Sequence, residues 1–422
     1  MLPGARDIVT TVLARAVAMI GPFGVSIITA RVLGPEDRGQ YFLIVSYAQI
    51  AAQMANLGLQ TSNTYLVANK SDLVGRLLVN SFYVAAIVTP IVALAIVIFV
   101  GRPELLGLGA PSGASLGPEA FMAVLLAPLI VLFLYIVNMA VGIGKIQLFN
   151  GLTILSGVAA VGTAAAVGLY HGGTTDFLFA AAGAVAVSCV VGGVLVLSGT
   201  SVPLSFDIPL FRKGALFGLK VYVSGFLSFL MMRVGVIALQ QRSDLLEIGQ
   251  FSIATQIADA LILLPGTVGL LLFPSLLRME GEDRRTAMWR VFRRLGALMI
   301  ALLIVGALLI PWILPVIFGV AYQKAVLLTL AMLPSVLIVS MITVLSQYLA
   351  AEGYPWRQVT AWLAGFAVQA GLSYWLAGEF GGFGVAIALA VSAALVFVIL
   401  LQAASAMRSK ISHEHSSSEG SE

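Results

Sequence analysis

Runs of about twenty apolar residues, following one another from end to end, constrain this chain more than any other feature. The stretch VAAIVTPIVALAIVIFV (84–100) carries no charge at all. A helix rising about 1.5 Å per residue needs roughly 20 residues to cross a ~30 Å hydrocarbon core. Apolar runs of that length, separated by charged or Gly/Pro breaks, give twelve expected spans. Their limits are 8–31, 40–67, 77–101, 120–143, 147–170, 177–198, 214–240, 248–275, 295–318, 324–350, 356–378 and 384–406. Hydrophobic residues make up 60% of the chain and charged ones 10%, against roughly 45–50% and about 25% in soluble globular proteins. The expected fold class is therefore an all-α polytopic membrane protein.

The first run, which contains Arg6 and Arg15 and continues to about Ile28, is too long for a signal h-region and reads as the first membrane helix. Fifteen Lys and Arg residues fall in loops on the side of the N-terminus, five on the other side, and three (Arg15, Lys220, Arg233) within spans. By the positive-inside rule both termini are expected in the cytoplasm. The net charge of +4 reflects those loops and gives no reason to expect nucleic acid. Cys189 stands alone in an apolar run and can form no internal disulfide. The histidines, His171, His413 and His415, lie in loop or tail, and HExxH is absent, so no zinc site or other metal site is expected. No Walker A sequence is present, so direct use of ATP is excluded and no cofactor is expected. The longest external loop covers about residues 102–120, which leaves no room for a soluble catalytic domain.

The chain also repeats itself. GQYFLIVSYAQIA begins at Gly39 and GQFSIATQIADA at Gly249, each after a short charged external loop. MAVGIGK places Gly144 after the fourth span, and YLAAEGY places Gly353 after the tenth. The matching offsets, 210 and 209 positions, predict two six-span halves that enter the membrane in the same direction. The expected organisation is an N-terminal lobe at 1–200, a cytoplasmic linker at 201–213, a C-terminal lobe at 214–406 and a disordered polar tail at 407–422.

Polar residues inside the spans carry the functional expectations. Gln49, Gln53, Asn56, Gln60 and Asn63 are spaced 4, 3, 4 and 3 apart and would share one face of an uninterrupted helix. Amides on a lipid face are costly, so this stripe faces either neighbouring helices, as interhelical hydrogen bonds, or a wet cavity. Amides both donate and accept, which suits sugar hydroxyls. Arg15 lies in span one, Lys220 and Arg233 in span seven, and Asp259 in span eight. Ionisable groups within the membrane mark transport pathways or pair with one another. Arg233 and Asp259 could form a structural ion pair, or Asp259 could be the ion-coupling site. The excess of positive charge suits an anionic substrate, phosphate in particular.

The stretch ARVLGPEDRGQYFLIVSYAQIAAQMANLGLQTSNTYLVAN (30–69) resembles polysaccharide biosynthesis proteins, the Wzx-type lipid-linked oligosaccharide flippases of the multidrug/oligosaccharidyl-lipid/polysaccharide exporter superfamily. LPVIFGVAYQKAVLLTLAMLP (314–334) and YLAAEGYP (348–355) are similar to the same family. The resemblance implies a MATE-like bundle of about twelve transmembrane helices in two pseudo-symmetric lobes around a central cavity, in a bacterial inner membrane. It implies a transporter, not an enzyme, that flips a polyprenyl-diphosphate-linked oligosaccharide by alternating access coupled to an H+ or Na+ gradient. Polysaccharide polymerases or glycosyltransferases are the partners it suggests, with membrane lipids around the chain. Arg15, Lys220 and Arg233 are the candidate cationic cavity residues, joined by Gln49, Gln53, Asn56 and Gln60. The alternatives are a drug or cation antiporter of the same fold, which should favour acidic cavity residues, and a membrane glycosyltransferase, polymerase or ligase, which needs a sizeable loop.

Overall fold

A computed structural model describes residues 5–102, 104, 113–198, 206–353 and 356–419, with side chains described for these except at 5–20, 220–221 and 407–419. The elements in order are α1 (Ala5–Asn56), α2 (Leu59–Asn69), α3 (Val74–Tyr83) and α4 (Thr89–Ile96). They continue with α5 (Met122–Gly142), α6 (Ile146–Leu169), α7 (Thr174–Leu197), α8 (Ile208–Arg242), α9 (Leu245–Leu276), α10 (Gly281–Phe318), α11 (Gln323–Ala351) and α12 (Trp356–Glu419). A π-helical segment at Val84–Val88 joins α3 to α4, and another extends α4 through Val97–Gly101. No strand occurs among the described residues.

Nine helices among the described residues are long and apolar enough to cross a membrane, or ten when the bent pair Gly21–Asn56 and Leu59–Asn69 counts as one span. The expected number was twelve. The difference arises where the chain breaks inside a helix that is counted once: Gly34 in α1 (φ 72°, ψ 179°) and Gly381 in α12 (φ 56°, ψ −136°). Both angles lie in regions open to glycine and closed to most other residues. Gly34 is followed by Pro35, so Glu36 and Asp37 stand in the first turn of the resumed helix, where acidic groups complement its dipole.

The described chain forms two compact units. One comprises residues 1–226 with 240–252, the other 227–239 with 253–422. In the first unit Ile136, Met139, Leu152, Val196 and Leu77 build one core cluster, and Ala52, Leu59, Val84, Val131 and Tyr135 a second. In the second unit α11 packs against α10 and α12. Two-thirds of its apolar window is buried (67%), against 11% for α6. The first is a helix that fills the middle of its unit, and the second lies at the periphery of its own, packed on α1 and α7.

The repeat landmarks are realised as backbone geometry. Gly144 (φ 75°) and Gly353 (φ 102°) both take left-handed conformations just after α5 and α11. Gly39 and Gly249 face each other across a close crossing inside the first unit. A Cβ on Gly39 would overlap the Leu245 carbonyl oxygen and lie 3.0 Å from the Gly249 nitrogen; a Cβ on Gly249 would overlap the Pro35 carbonyl oxygen.

Candidate functional site

Each polar group of interest is placed by a local feature of its helix. Gln49 and Gln53 lie in the last turns of α1, both half-buried, and neither side chain makes a hydrogen bond among the described residues. The helix then stops at Asn56. Leu57 takes φ 50° and Gly58 φ 73° before α2 begins. A Cβ on Gly58 would fall 2.5 Å from the Gly218 carbonyl oxygen on α8, so this break lets two backbones approach.

The break redistributes the five amides expected on one stripe. The carbonyls of the last helical turn have no partner within the helix, and side chains supply them. The Tyr222 hydroxyl donates to the Gln53 carbonyl, and the Tyr135 hydroxyl donates to the Asn56 carbonyl at 3.3 Å. The Asn56 carboxamide oxygen accepts the Gln60 backbone N–H at 3.2 Å and so caps the start of α2. Asn63, 2% exposed, donates to the Ser81 hydroxyl at 2.8 Å. The spacing rule assumed one uninterrupted helix; the turn at Leu57–Gly58 ends it, and the 4-3-4-3 stripe does not run through. The Gln49, Gln53 and Gln60 side chains, all half-buried, remain without hydrogen-bond partners among the described residues, Asn63 is committed to packing, and Asn56 gives its oxygen to the Gln60 N–H while its Nδ2 is buried without a partner.

In the second unit Arg233 on α8 donates from Nη2 to Oδ2 of Asp259 on α9 at 2.8 Å. The guanidinium side chain is 16% exposed and the carboxylate side chain 38%. The pair is held from the arginine side, and the carboxylate keeps open space around it. Arg15 sits within α1 and Lys220 within α8, and their side chains lie outside the described ones. No cluster of His, Cys, Asp and Glu that could hold a metal occurs among the described residues.

A further buried cation was missed by sequence reasoning. Arg38, expected in an external loop, is 3% exposed inside the resumed part of α1. Its Nε donates to the Ser252 hydroxyl at 2.9 Å, Nη2 to the Ser26 hydroxyl at 2.8 Å, and Nη1 to the Ser26 carbonyl at 2.7 Å and to the Thr29 hydroxyl. One guanidinium thus ties both sides of the Gly34 break to the start of α9, directly beside the Gly39–Gly249 crossing. The signal available in sequence is Ser26 and Thr29, two hydroxyls three residues apart in an otherwise apolar run.

The same fold occurs in solved structures of membrane transporters and of a flippase. An inward-facing conformation of a multidrug resistance MATE family transporter of the MOP superfamily matches with TM-score 0.70 and 16% identity, over 93% of this chain and 96% of that one. The lipid II flippase MurJ in an inward closed conformation matches with TM-score 0.70 and 13% identity, over 94% and 86%. An outward-facing MATE structure matches with TM-score 0.61 and 15% identity, over 94% and 95%. No curated protein matches significantly by sequence. The model of the polysaccharide biosynthesis protein family matches residues 5–280, and the chain belongs to that family. It is a multi-pass membrane protein.

Proposed function

We propose that this protein flips a polyprenyl-diphosphate-linked oligosaccharide, an O-antigen or exopolysaccharide precursor, across the bacterial cytoplasmic membrane. The observation that carries the reading is the Arg233–Asp259 pair, an ion pair at 2.8 Å between two membrane helices whose carboxylate is 38% exposed. A guanidinium is the side chain best suited to a diphosphate, because its planar fork binds two phosphate oxygens at once. The substrate's phosphates take Arg233, and Asp259, released from its partner, takes a proton or Na+ and so couples flipping to an ion gradient. Within the first unit, taken by itself, Gln49 and Gln53 are unpartnered amides that can both donate and accept, which is the chemistry sugar hydroxyls require. Arg15 and Lys220 add positive charge along the two helices that carry them. Family membership and the flippase among the structural neighbours support this substrate class. Termini on the cytoplasmic side follow from the distribution of Lys and Arg.

The test is glycan export in cells that depend on this chain. Loss of one charged phosphate contact removes about 1.5–3 kcal/mol, so Arg233→Ala should slow export roughly 10- to 100-fold with folded protein still present. Arg233→Lys should recover only part of it. Asp259→Asn should leave flipping insensitive to collapse of the gradient. Normal export in Arg233→Ala sinks the phosphate role. An Arg233→Ala variant that instead gains resistance to cationic compounds assigns Asp259 to drug antiport.

A further inference from the structure

The N-terminal part of α10, GEDRRTAMWRVFRRLGALM, holds the densest positive charge among the described residues, and its arginines divide into two sets. The first set is consumed internally. Arg284 pairs with Glu352 at 2.9 Å and donates to the carbonyls of Leu276 and Met279 at 3.0 and 2.9 Å. Arg285 pairs with Glu282 at 3.2 Å. The second set, Arg290, Arg293 and Arg294, is exposed, and among the described residues no carboxylate lies within ion-pair distance of it. Arg293 only donates back to the Trp289 carbonyl of its own helix at 3.4 Å.

These three arginines share one face. At 3.6 residues per turn they fall within about 100° of arc. The same arc continues along α10 through Ala297, Ala301, Ile304 and Leu308, all exposed, with Ile304 at 57% and Leu308 at 68%. The distance from Arg294 to Leu308 is about 21 Å of helix rise, within a single span of a ~30 Å core. The two small alanines separate the arginines from the larger exposed side chains of Ile304 and Leu308. Trp289 stacks edge-on with Phe292 at 5.2 Å, and Phe292 stacks with Phe397 on α12 at 6.3 Å, which fixes the rotation of this turn within the second unit.

Three guanidinium groups with no carboxylate partner among the described residues, in line with an exposed apolar strip on the same helix face, match one kind of occupant: an anionic head on an acyl chain. We propose that this face of α10 is a binding site for an anionic phospholipid. The headgroup phosphate is held by Arg290, Arg293 and Arg294, and one acyl chain lies along Ala297, Ala301, Ile304 and Leu308. Guanidinium groups bind phosphate oxygens bidentately, and each basic group near an anionic membrane surface adds about a fivefold preference. The site needs α10 to lie in a membrane and is independent of what the protein flips.

The test uses the purified full chain in a neutral detergent. Phosphatidylglycerol should raise the thermal midpoint of the wild type more than phosphatidylcholine does, and native mass spectrometry should show preferential phosphatidylglycerol adducts. In the variant R290Q/R293Q/R294Q the apparent affinity for phosphatidylglycerol should fall on the order of 100-fold. The charge control K70Q/K145Q, at two exposed lysines far along the sequence from α10, should keep the wild-type preference. Where the triple variant does not fold, each single variant should bind phosphatidylglycerol about fivefold more weakly. Retention of the preference in the triple variant, or in all three singles, overturns the proposal. So does selective loss of polyprenyl diphosphate binding with phosphatidylglycerol binding intact, which would make the face a substrate contact.

Discussion

Replacing Arg38 should destabilise the first unit more than any other single change to a charged side chain there. Four of the five guanidinium donors are used, at 2.7–2.9 Å to Ser26 and Ser252 and at hydrogen-bond distance to Thr29, in a side chain 3% exposed. Hydrogen bonds to a charged group contribute about 1.5 kcal/mol each at the lower end, so four sum to about 6 kcal/mol. Burying the charge costs several kcal/mol in return, which leaves a net of roughly 1–2 kcal/mol. Truncation to alanine also empties the space of two methylenes, about 0.8 kcal/mol each. Arg38→Ala should then cost about 2.5–3.5 kcal/mol. Arg38→Met keeps the stem and removes the charge, and should cost only the smaller part, about 1–2 kcal/mol. Arg38→Lys keeps a buried charge without the fork, and should be no milder than alanine.

The assay is the thermal midpoint of the detergent-solubilised protein, read as folded monomer after heating. At roughly 2 °C per kcal/mol, alanine should lower it by about 5–7 °C and methionine by about 2–4 °C. Combining Arg38→Ala with Ser252→Ala should show a coupling of about 1.5–3 kcal/mol, because the Ser252 hydroxyl still donates to the Gly249 carbonyl at 2.6 Å and loses only its guanidinium donor. Midpoints within 1 °C of wild type for both Arg38→Ala and Arg38→Lys would refute the assignment of Arg38 as the tie across the Gly34 break.

Gly249→Ala should destabilise by at least about 2 kcal/mol, since its Cβ would overlap the Pro35 carbonyl oxygen, whereas Gly151→Ala, with open space around it, should be neutral or slightly stabilising by the same thermal assay. Arg233→Ala should lower the midpoint by no more than about 2 °C, because the Asp259 carboxylate, 38% exposed, can stay hydrated without its partner; a larger loss would make the pair a structural one. In a Cys189→Ala background, cysteines at Gln49 and Gln53 should react with a water-soluble thiol reagent, while one at Asn63, 2% exposed, should be protected; uniform protection contradicts contact with a hydrated substrate.

Much of the architecture was legible because it rests on two strong sequence signals. Twenty-residue apolar runs leave helices as the way to satisfy the backbone in lipid. The echo of GQY at Gly39 in GQF at Gly249 marked positions that turn out to touch, which explains why both are glycine. The Arg233–Asp259 pairing was legible for the same reason: two opposite charges in an apolar setting need each other. What sequence did not disclose was continuity. Gly34 and Gly381 bend the chain within one helix, and a hydropathy reading records a gap there without saying whether the helix resumes at once. Arg38 was assigned to solvent because it stood among Glu36, Asp37 and Arg31, and charge clusters mark loops. The pairing of its fork with Ser26 and Thr29 depends on the fold-back at Gly34, which brings together groups nine and twelve residues apart.

The amide stripe shows how a single backbone break changes what a sequence pattern can mean. Five amides at 4-3-4-3 spacing on a continuous helix would be five equivalent ligands. The left-handed turn at Leu57–Gly58 makes them unequal. It frees carbonyls that Tyr222 and Tyr135 satisfy, it creates a helix start that the Asn56 side chain caps, and it carries Asn63 into a buried bond with Ser81. The Asn63 Nδ2 and the Asn56 oxygen are held by the cost of leaving a buried polar atom unpaired, while the Asn56 Nδ2 stays buried without a partner. Gln49 and Gln53, on the near side of the break, escape that demand, and their hydrogen-bonding capacity is available to a ligand. The break therefore does two things at once: it permits the close approach of Gly58 to Gly218, and it leaves Gln49 and Gln53 on one side and Gln60 on the other as the amides whose side chains make no hydrogen bond among the described residues.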